Sequence, residues 1–94
     1  MILRGHDRTI RRLIQLSDGR VISGSQDKTL RIWNIETGEC ERVLRGHRET
    51  VSCLLKLSDG RVISGSEDKT LRIWNVPNKP YIIKRAHDIW FTFN

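Results

Sequence analysis

The stretch SDGRVISGSQDKTLRIWN at residues 17–34 returns as SDGRVISGSEDKTLRIWN at residues 58–75, with a single substitution between the two copies. Over the longer windows 3–34 and 44–75, 24 of 32 positions are identical, all at an offset of 41 residues. A fixed period of this length indicates that one structural unit occurs twice. The rest of the chain can be placed relative to these two units.

Within each unit, the residue pattern predicts short β-strands joined by tight turns. The Asp-Gly pairs at residues 18–19 and 59–60 favour hairpin turns, because this dipeptide tolerates positive φ angles. Residues 29–35 and their copy carry apolar side chains at both odd and even positions, which predicts a strand covered on both faces. Apolar residues at alternate positions of 50–57 predict one buried face, with Cys53 as a small buried side chain on it.

The chain resembles the WD-repeat β-propeller family over about residues 3–87. The resemblance rests on the Gly-His pairs at 5–6 and 46–47, on the two SGSxDKTLRIW blocks, and on a Trp near the end of the third strand. It implies an all-β fold of two four-stranded antiparallel propeller blades, an incomplete WD-repeat β-propeller. The expected divisions are a strand remnant with its following loop at 1–8, blade one at 9–46, blade two at 47–87, and a truncated further blade or displaced tail at 88–94.

The resemblance also implies a buried hydrogen-bond network in each blade, linking a loop His, a strand Ser, a turn Asp and the Trp. The residues are His6, Ser23, Asp27 and Trp33 in the first copy and His47, Ser64, Asp68 and Trp74 in the second. Their chemistry is compatible, since a carboxylate accepts from imidazole and a hydroxyl can bridge imidazole and indole. Hydrolases use Ser, His and Asp as well. Because the set occurs in both copies and no GxSxG motif is present, we expect a structural role and no enzyme activity.

The composition is that of a soluble globular chain of 94 residues, with 37% hydrophobic and 30% charged residues. The net charge of +6 suggests nucleic acid as a partner, but acidic residues are interspersed throughout, which disfavours it. Cys40 and Cys53 lack the spacing of a zinc site and are expected to be free thiols, so no metal or cofactor is predicted. The chain starts without an apolar signal segment and contains no membrane-length apolar run, which favours the cytoplasm.

Two blades cannot close a propeller, which needs about four to eight. Self-association of three or four copies would give six or eight blades, whereas the alternative is a fragment of a larger propeller. The resemblance implies a non-catalytic scaffold that binds a protein or peptide partner. Purely structural repeats, or a basic surface for nucleic acid, remain alternatives. The candidate partner-binding residues lie in the loops before the first strand and between the second and third strands, and are Arg8, Gln26, Arg48, Glu49 and Glu67.

Overall fold

The computed structural model describes residues 1–78, 81–84 and 90–93, and within these residues the chain forms nine β-strands and no helix. The predicted all-β fold of antiparallel blades is therefore confirmed. The strands are β1 (Ile10–Gln15), β2 (Val21–Ser25), β3 (Leu30–Asn34), β4 (Glu39–Leu44), β5 (Val51–Lys56), β6 (Arg61–Ser66), β7 (Leu71–Asn75), β8 (Tyr81–Lys84) and β9 (Trp90–Phe93).

The strands form three antiparallel sheets that follow the order of the chain. The first sheet has the order β1-β2-β3-β4, and the second has the order β5-β6-β7. The two Asp-Gly turns join the first and second strands of each sheet, with Gly19 at a φ of 92° and Gly60 at 90°. These angles are accessible to glycine at no steric cost, which explains why the sequence SDG occurs at both turns.

The second sheet has three strands in the described part of the chain, whereas four were expected. β8 lies within the predicted outer strand but pairs with β9 of the predicted tail, from Tyr81 opposite Phe93 to Lys84 opposite Trp90. Residues 79–80, 85–89 and 94, which were assigned to blade two and the tail, lie outside the described residues.

The two copies diverge at the turn after the third strand, because the second copy lacks the residues that form this turn in the first. In the first sheet, Asn34 accepts three turn hydrogen bonds: its Oδ1 from the Glu36 amide at 2.9 Å and the Thr37 amide at 3.2 Å, and its carbonyl from the Gly38 amide at 2.8 Å. Gly38 has a φ of 81°. In the second copy the equivalent of Glu36 is Pro77, which has no N–H, and the equivalent of Gly38 is a lysine. The second connector therefore lacks the donor and the glycine that turn β3 into β4.

A β-bulge near the start of β5 changes which side chains are buried. Val51 pairs with Ser66 and Cys53 with Gly65, so one extra residue is inserted between the two pairs. The bulge resets the alternation, and Val51 is buried while Cys53 is exposed. The prediction of a buried Cys53 is therefore wrong, because strict alternation does not continue through a bulge.

The core lies between the first and second sheets. It consists of eight buried apolar side chains: Leu16, Ile22, Leu30, Ile32, Leu44, Val51, Val62 and Val76. The first five belong to the first sheet and its turn, and the last three to the second. The two units thus share one core, and each supplies one of its two faces to it.

At Gly24 on β2, the two sheets approach each other closely. A Cβ atom at this position would lie 2.7 Å from Val51 Cγ1 and 3.5 Å from Leu54 Cδ1, both on β5. Only a residue without a side chain lets the second sheet come this close. Because Gly24 pairs with Leu30 and its neighbour Ile22 pairs with Ile32, these side chains share the face that the second sheet covers.

Candidate functional site

The four residues predicted for the first network lie together on one side of the first sheet. His6 Nδ1 lies 2.7 Å from Asp27 Oδ2, and His6 Nε2 lies 2.6 Å from Ser23 Oγ. Trp33 donates its indole Nε1–H to Ser23 Oγ at 2.8 Å. A neutral His6 with its proton on Nδ1 satisfies every one of these atoms, because it donates to Asp27 and accepts the proton of Ser23.

The second copy repeats this geometry closely. His47 Nδ1 lies 2.9 Å from Asp68 Oδ2 and His47 Nε2 lies 2.6 Å from Ser64 Oγ, which accepts the indole N–H of Trp74 at 2.7 Å. The two networks sit in different surroundings, since the second lies beside the shared core and the first on the opposite side of the first sheet. The agreement of the distances means that the local sequence determines the geometry.

Two further groups complete each network. Thr29 donates its hydroxyl to Asp27 Oδ1 at 2.6 Å and its backbone N–H to the same oxygen at 3.0 Å. Ser25 Oγ accepts the Asp27 amide at 3.0 Å and donates to the Thr9 carbonyl at 2.9 Å. Ser66 and Thr70 bond Asp68 in the same way. These residues were not among the predicted network residues, although Ser-x-Asp-x-Thr is a pattern of side chains that bond nearby backbone groups.

The hydrogen bonds hold both aspartates in the charged form. Burial by itself would raise the pKa of Asp27, but hydrogen bonds from Thr29, His6 and the Asp7 amide outweigh it and lower the pKa to about 2. The Thr70 hydroxyl makes the largest contribution at Asp68, where it outweighs desolvation and, with further donors, holds the pKa well below its usual range. Both turns are therefore anchored by a carboxylate at neutral pH.

The connectivity of Ser23, His6 and Asp27 is that of a hydrolase triad, but the surroundings do not suit one. Ser23 is only 1% exposed, and its oxygen already accepts the indole N–H of Trp33. A substrate would have to displace this indole to reach the hydroxyl. The same holds for Ser64 and Trp74 in the second copy. The geometry ties a loop to a strand and leaves no room at the nucleophile.

The candidate partner-binding residues are held through their backbones beside these networks. Gln26 donates its amide to the Thr9 carbonyl at 2.9 Å, and Glu67 to the Thr50 carbonyl at 3.1 Å. The Arg48 amide donates to Asp68 Oδ2 at 2.9 Å. The carbonyls of Arg8 and Glu49 accept from Ser25 and Ser66. All of the five side chains are exposed except that of Gln26, which is half-buried.

A second candidate surface is apolar and consists of the two sheet faces turned away from the shared core. Apart from Met1 and Ile2, every exposed large hydrophobic side chain of the described residues belongs to one of these faces. We call Ile10, Leu13 and Ile35 of the first unit the N-terminal open face, and Leu55, Leu71 and Ile73 of the second unit the C-terminal open face.

The two open faces are copies of the two faces that already pack together. An offset of 41 relates the N-terminal open face to Val51, Leu54 and Val76, which pack at the core. The same offset relates the C-terminal open face to three other core residues, Ile14, Leu30 and Ile32. The N-terminal and C-terminal open faces are therefore complementary to each other in the same way as the two sheet faces that form the shared core.

The described residues hold no cluster of three or more His, Cys, Asp or Glu side chains that could bind a metal ion. Cys40 and Cys53 are free thiols. No helix long and apolar enough to cross a membrane occurs in the part of the chain that the structure describes.

The sheet geometry and the repeated networks define the class of protein as one built from β-propeller blades. The WD domain, G-beta repeat, matches the chain twice, at residues 1–34 and 38–75. The chain belongs to this WD-repeat family. The WD40 β-propeller domain of Doa1 superposes with a TM-score of 0.73 at 29% identity, covering 77% of this chain and 24% of that one.

Curated relatives match one repeat at a time. They include F-box/WD repeat-containing protein 7 of Drosophila melanogaster, 42% identical over 41 residues, and the probable E3 ubiquitin ligase complex SCF subunit scon-2 of Neurospora crassa, 46% identical over 41 residues. The nuclear distribution protein nudF of Emericella nidulans is 44% identical over 43 residues. Each alignment covers 44% of this chain, but only 3%, 6% and 10% of the respective relatives. The chain therefore corresponds to a small part of each relative's length.

Proposed function

We propose that the chain is a non-catalytic protein-interaction module that completes a propeller by binding further copies of itself. The observation that carries the proposal is the match between the open faces and the shared core. Leu30 and Ile32 are fully buried against the second sheet, whereas their copies Leu71 and Ile73 are 73% and 59% exposed. Placing the N-terminal open face of one copy on the C-terminal open face of another would repeat a contact that the chain already makes.

Such a contact is head-to-tail, because each copy contributes a different face to it. Heterologous contacts close into a ring if the rotation between units suits, and otherwise form a filament. Three copies would give six blades and four would give eight, both within the range of known propellers. The driving force is burial of apolar surface, which contributes about 25 cal/mol per Å² before the cost of association is subtracted.

The completed assembly would offer its charged loops to a protein or peptide. The support is the set of backbone hydrogen bonds that hold the two loops beside the networks; the residues concerned are Arg8, Gln26, Arg48, Glu49 and Glu67. Loops on a rigid scaffold are where binding residues concentrate. One relative, scon-2, is described as a subunit of a ligase complex, which agrees with a scaffold role. A cytoplasmic location stays a prediction.

The mass of the protein in solution tests self-association most directly. Light scattering over a range of concentrations should give a trimer or a tetramer for the unchanged chain. Leu13→Asp removes the N-terminal open face and Leu71→Asp the C-terminal open face, so each variant alone should be a monomer. An equal mixture should form dimers, because one intact face of each kind remains. Glu67→Gln, which copies Gln26 of the first unit, is the matched control and should assemble normally.

The outcomes separate the alternatives. A folded monomer at every concentration would contradict self-association. It would favour the alternative in which flanking blades come from a longer polypeptide, a reading that fits the small share of each relative that the chain matches. Dimers formed by either single variant alone would contradict the head-to-tail arrangement, since they would require a contact between identical faces.

A further inference from the structure

A buried arginine ties the first sheet to the second outside the apolar core. Arg20 follows the first Asp-Gly turn, and its Nη2 donates to the Pro77 carbonyl at 2.8 Å. Its Nε donates to Asp18 Oδ2 at 2.9 Å, and its Nη1 lies 3.4 Å from Glu41 Oε1. The residue is only 9% exposed. The side chain therefore clamps the connector that follows β7 onto the first unit.

A second polar contact lies beside this clamp. Ser17 donates its hydroxyl to Asn78 Oδ1 at 2.9 Å, one residue further along the connector. Together, Ser17 and Arg20 hold two consecutive connector residues of the second unit. The SDGR turn of the first unit thus binds the connector of the second unit.

The second unit carries an equal SDGR turn with nothing bound to it in the described residues. Arg61 donates its amide to Asp59 Oδ1 at 3.1 Å and its Nε to Asp59 Oδ2 at 2.8 Å, which matches the arrangement of Arg20 and Asp18. The Arg61 and Asp59 side chains are 49% and 52% exposed. The Nε contact to Asp59 orients the guanidinium, and no described residue accepts a hydrogen bond from its Nη atoms.

We propose that the Arg61 turn binds the connector formed by Glu36 and Thr37 of a second copy, with Arg61 donating to the Glu36 carbonyl. The inference rests on the proposed self-association and names the polar contact that would fix its register. Glu36 and Thr37 stand 41 residues before Pro77 and Asn78, the two residues held in the first unit. No described residue donates to the Glu36 carbonyl, and the side chain is exposed.

The charges at the proposed Arg61 contact between copies differ from those at the Arg20 contact within the chain. Arg20 has the carboxylate of Glu41 within reach, whereas the equivalent of Glu41 in the second unit is Ile82. Conversely, the connector of the second copy carries Glu36 where the internal connector has Pro77. The second acidic partner of the arginine would thus come from the incoming connector. A contact between copies would therefore be more sensitive to salt than the internal contact.

The guanidinium fork makes Arg61 difficult to replace. It can donate Nε–H to Asp59 and Nη–H to a carbonyl at the same time, which the single ammonium of lysine cannot reproduce in the same geometry. Arg61→Met and Arg61→Lys should each weaken association by about tenfold per contact, as expected for losing a hydrogen bond from a charged donor. Lys69→Met, at an exposed position of the loop between β6 and β7, is the control and should associate as the unchanged chain does.

The experiment is sedimentation of the four proteins over a range of concentrations, with circular dichroism of dilute samples as the check on folding. The expected result is an assembly midpoint shifted upward in both Arg61 variants and unshifted in Lys69→Met, with equal spectra for all. If the unchanged chain assembles and the Arg61 variants assemble at the same midpoint, this inference is overturned while self-association stands. If the unchanged chain does not assemble, both are overturned.

A double variant tests the named partner. Glu36→Gln should weaken assembly less than Arg61→Met, because the carbonyl acceptor is retained. Adding Glu36→Gln to Arg61→Met should cause little further loss, since the acidic group has then lost its donor. Full additivity of the two losses would contradict a direct contact between these residues.

Discussion

The two blades have nearly the same sequence and very different surroundings. Leu30 and Ile32 are fully buried, and the identical residues Leu71 and Ile73 of the second copy are mostly exposed. Arg20 is buried while Arg61 is half-exposed. From the first to the third strand, local structure is the same in both copies, down to the distances of the His-Ser-Trp network. The difference shows that the repeated sequence determines the sheet and its turns, whereas burial depends on which neighbour each sheet has.

The largest expected contrast is between Leu30 and Leu71. Leu30→Ala should lower the free energy of unfolding by about 2–5 kcal/mol, because it leaves a cavity in the shared core. Leu71→Ala should change it by about 0.5 kcal/mol or less in a dilute, unassembled sample, since the side chain is already in water. Urea unfolding of both variants at low concentration is the measurement. Equal losses would show that the two faces are covered alike and would remove the basis of the comparison.

A smaller contrast is expected between Gly24 and Gly65. Gly24→Ala places a methyl group 2.7 Å from Val51 Cγ1 in the interior and should cost about 1–3 kcal/mol. Gly65→Ala meets Cys53 Sγ at 2.5 Å, but this side chain is exposed and can rotate away. Thermal unfolding should therefore show a clear drop for Gly24→Ala and a lesser one for Gly65→Ala. The reverse order would mean that the sheets do not meet at Gly24.

The networks of the two blades should respond alike to acid, and the loss of stability at low pH tests this. The folded pKa of Asp27 is about 2, below its ordinary value of 3.8, so its carboxylate stabilises the fold above pH 3.8. That contribution should be lost as the pH falls from about 4 to about 2. It amounts to at most about 2 kcal/mol, because solvent screens a partly exposed group. Asp68, whose pKa is also lowered, should add to the same loss.

Urea unfolding at several pH values between 6 and 2.5 would measure this effect. Asp27→Asn should reduce the decrease in the free energy of unfolding at low pH, and the double variant with Asp68→Asn should reduce it further. If the free energy of unfolding of the double variant falls with pH as steeply as that of the unchanged chain, other carboxylates determine acid stability. Neither substitution alters the apolar faces, so both should leave assembly at neutral pH intact.

Much of the fold could be predicted because the decisive signals are local and occur twice. The Asp-Gly turns and the apolar third strands can be recognised from a few neighbouring residues. The spacing of His6, Ser23, Asp27 and Trp33 also matched the family pattern, and the structure brings these four side chains together. Thr29 was left out, although its position two residues after Asp27 allows it to bond the carboxylate.

The parts that could not be predicted depend on irregular or distant features. The bulge that exposes Cys53 inserts one residue into β5, and no single residue type predicts it. In the described residues β8 pairs with β9 and not with β7, and the sequence of β8 alone does not decide this choice of partner. The clamp of Arg20 on Pro77 joins residues 57 positions apart, so its partner could not be read from a local pattern.

The shared core has a consequence for how such a chain can lengthen. The first unit packs on the second through one face and the second packs on the first through the opposite face, so each 41-residue unit encodes a face of both kinds. Duplicating one unit would therefore create one more interior junction of a kind already present, while the two outermost surfaces keep their chemistry. A protein of this design can gain blades by copying its own gene segment, without inventing a new contact.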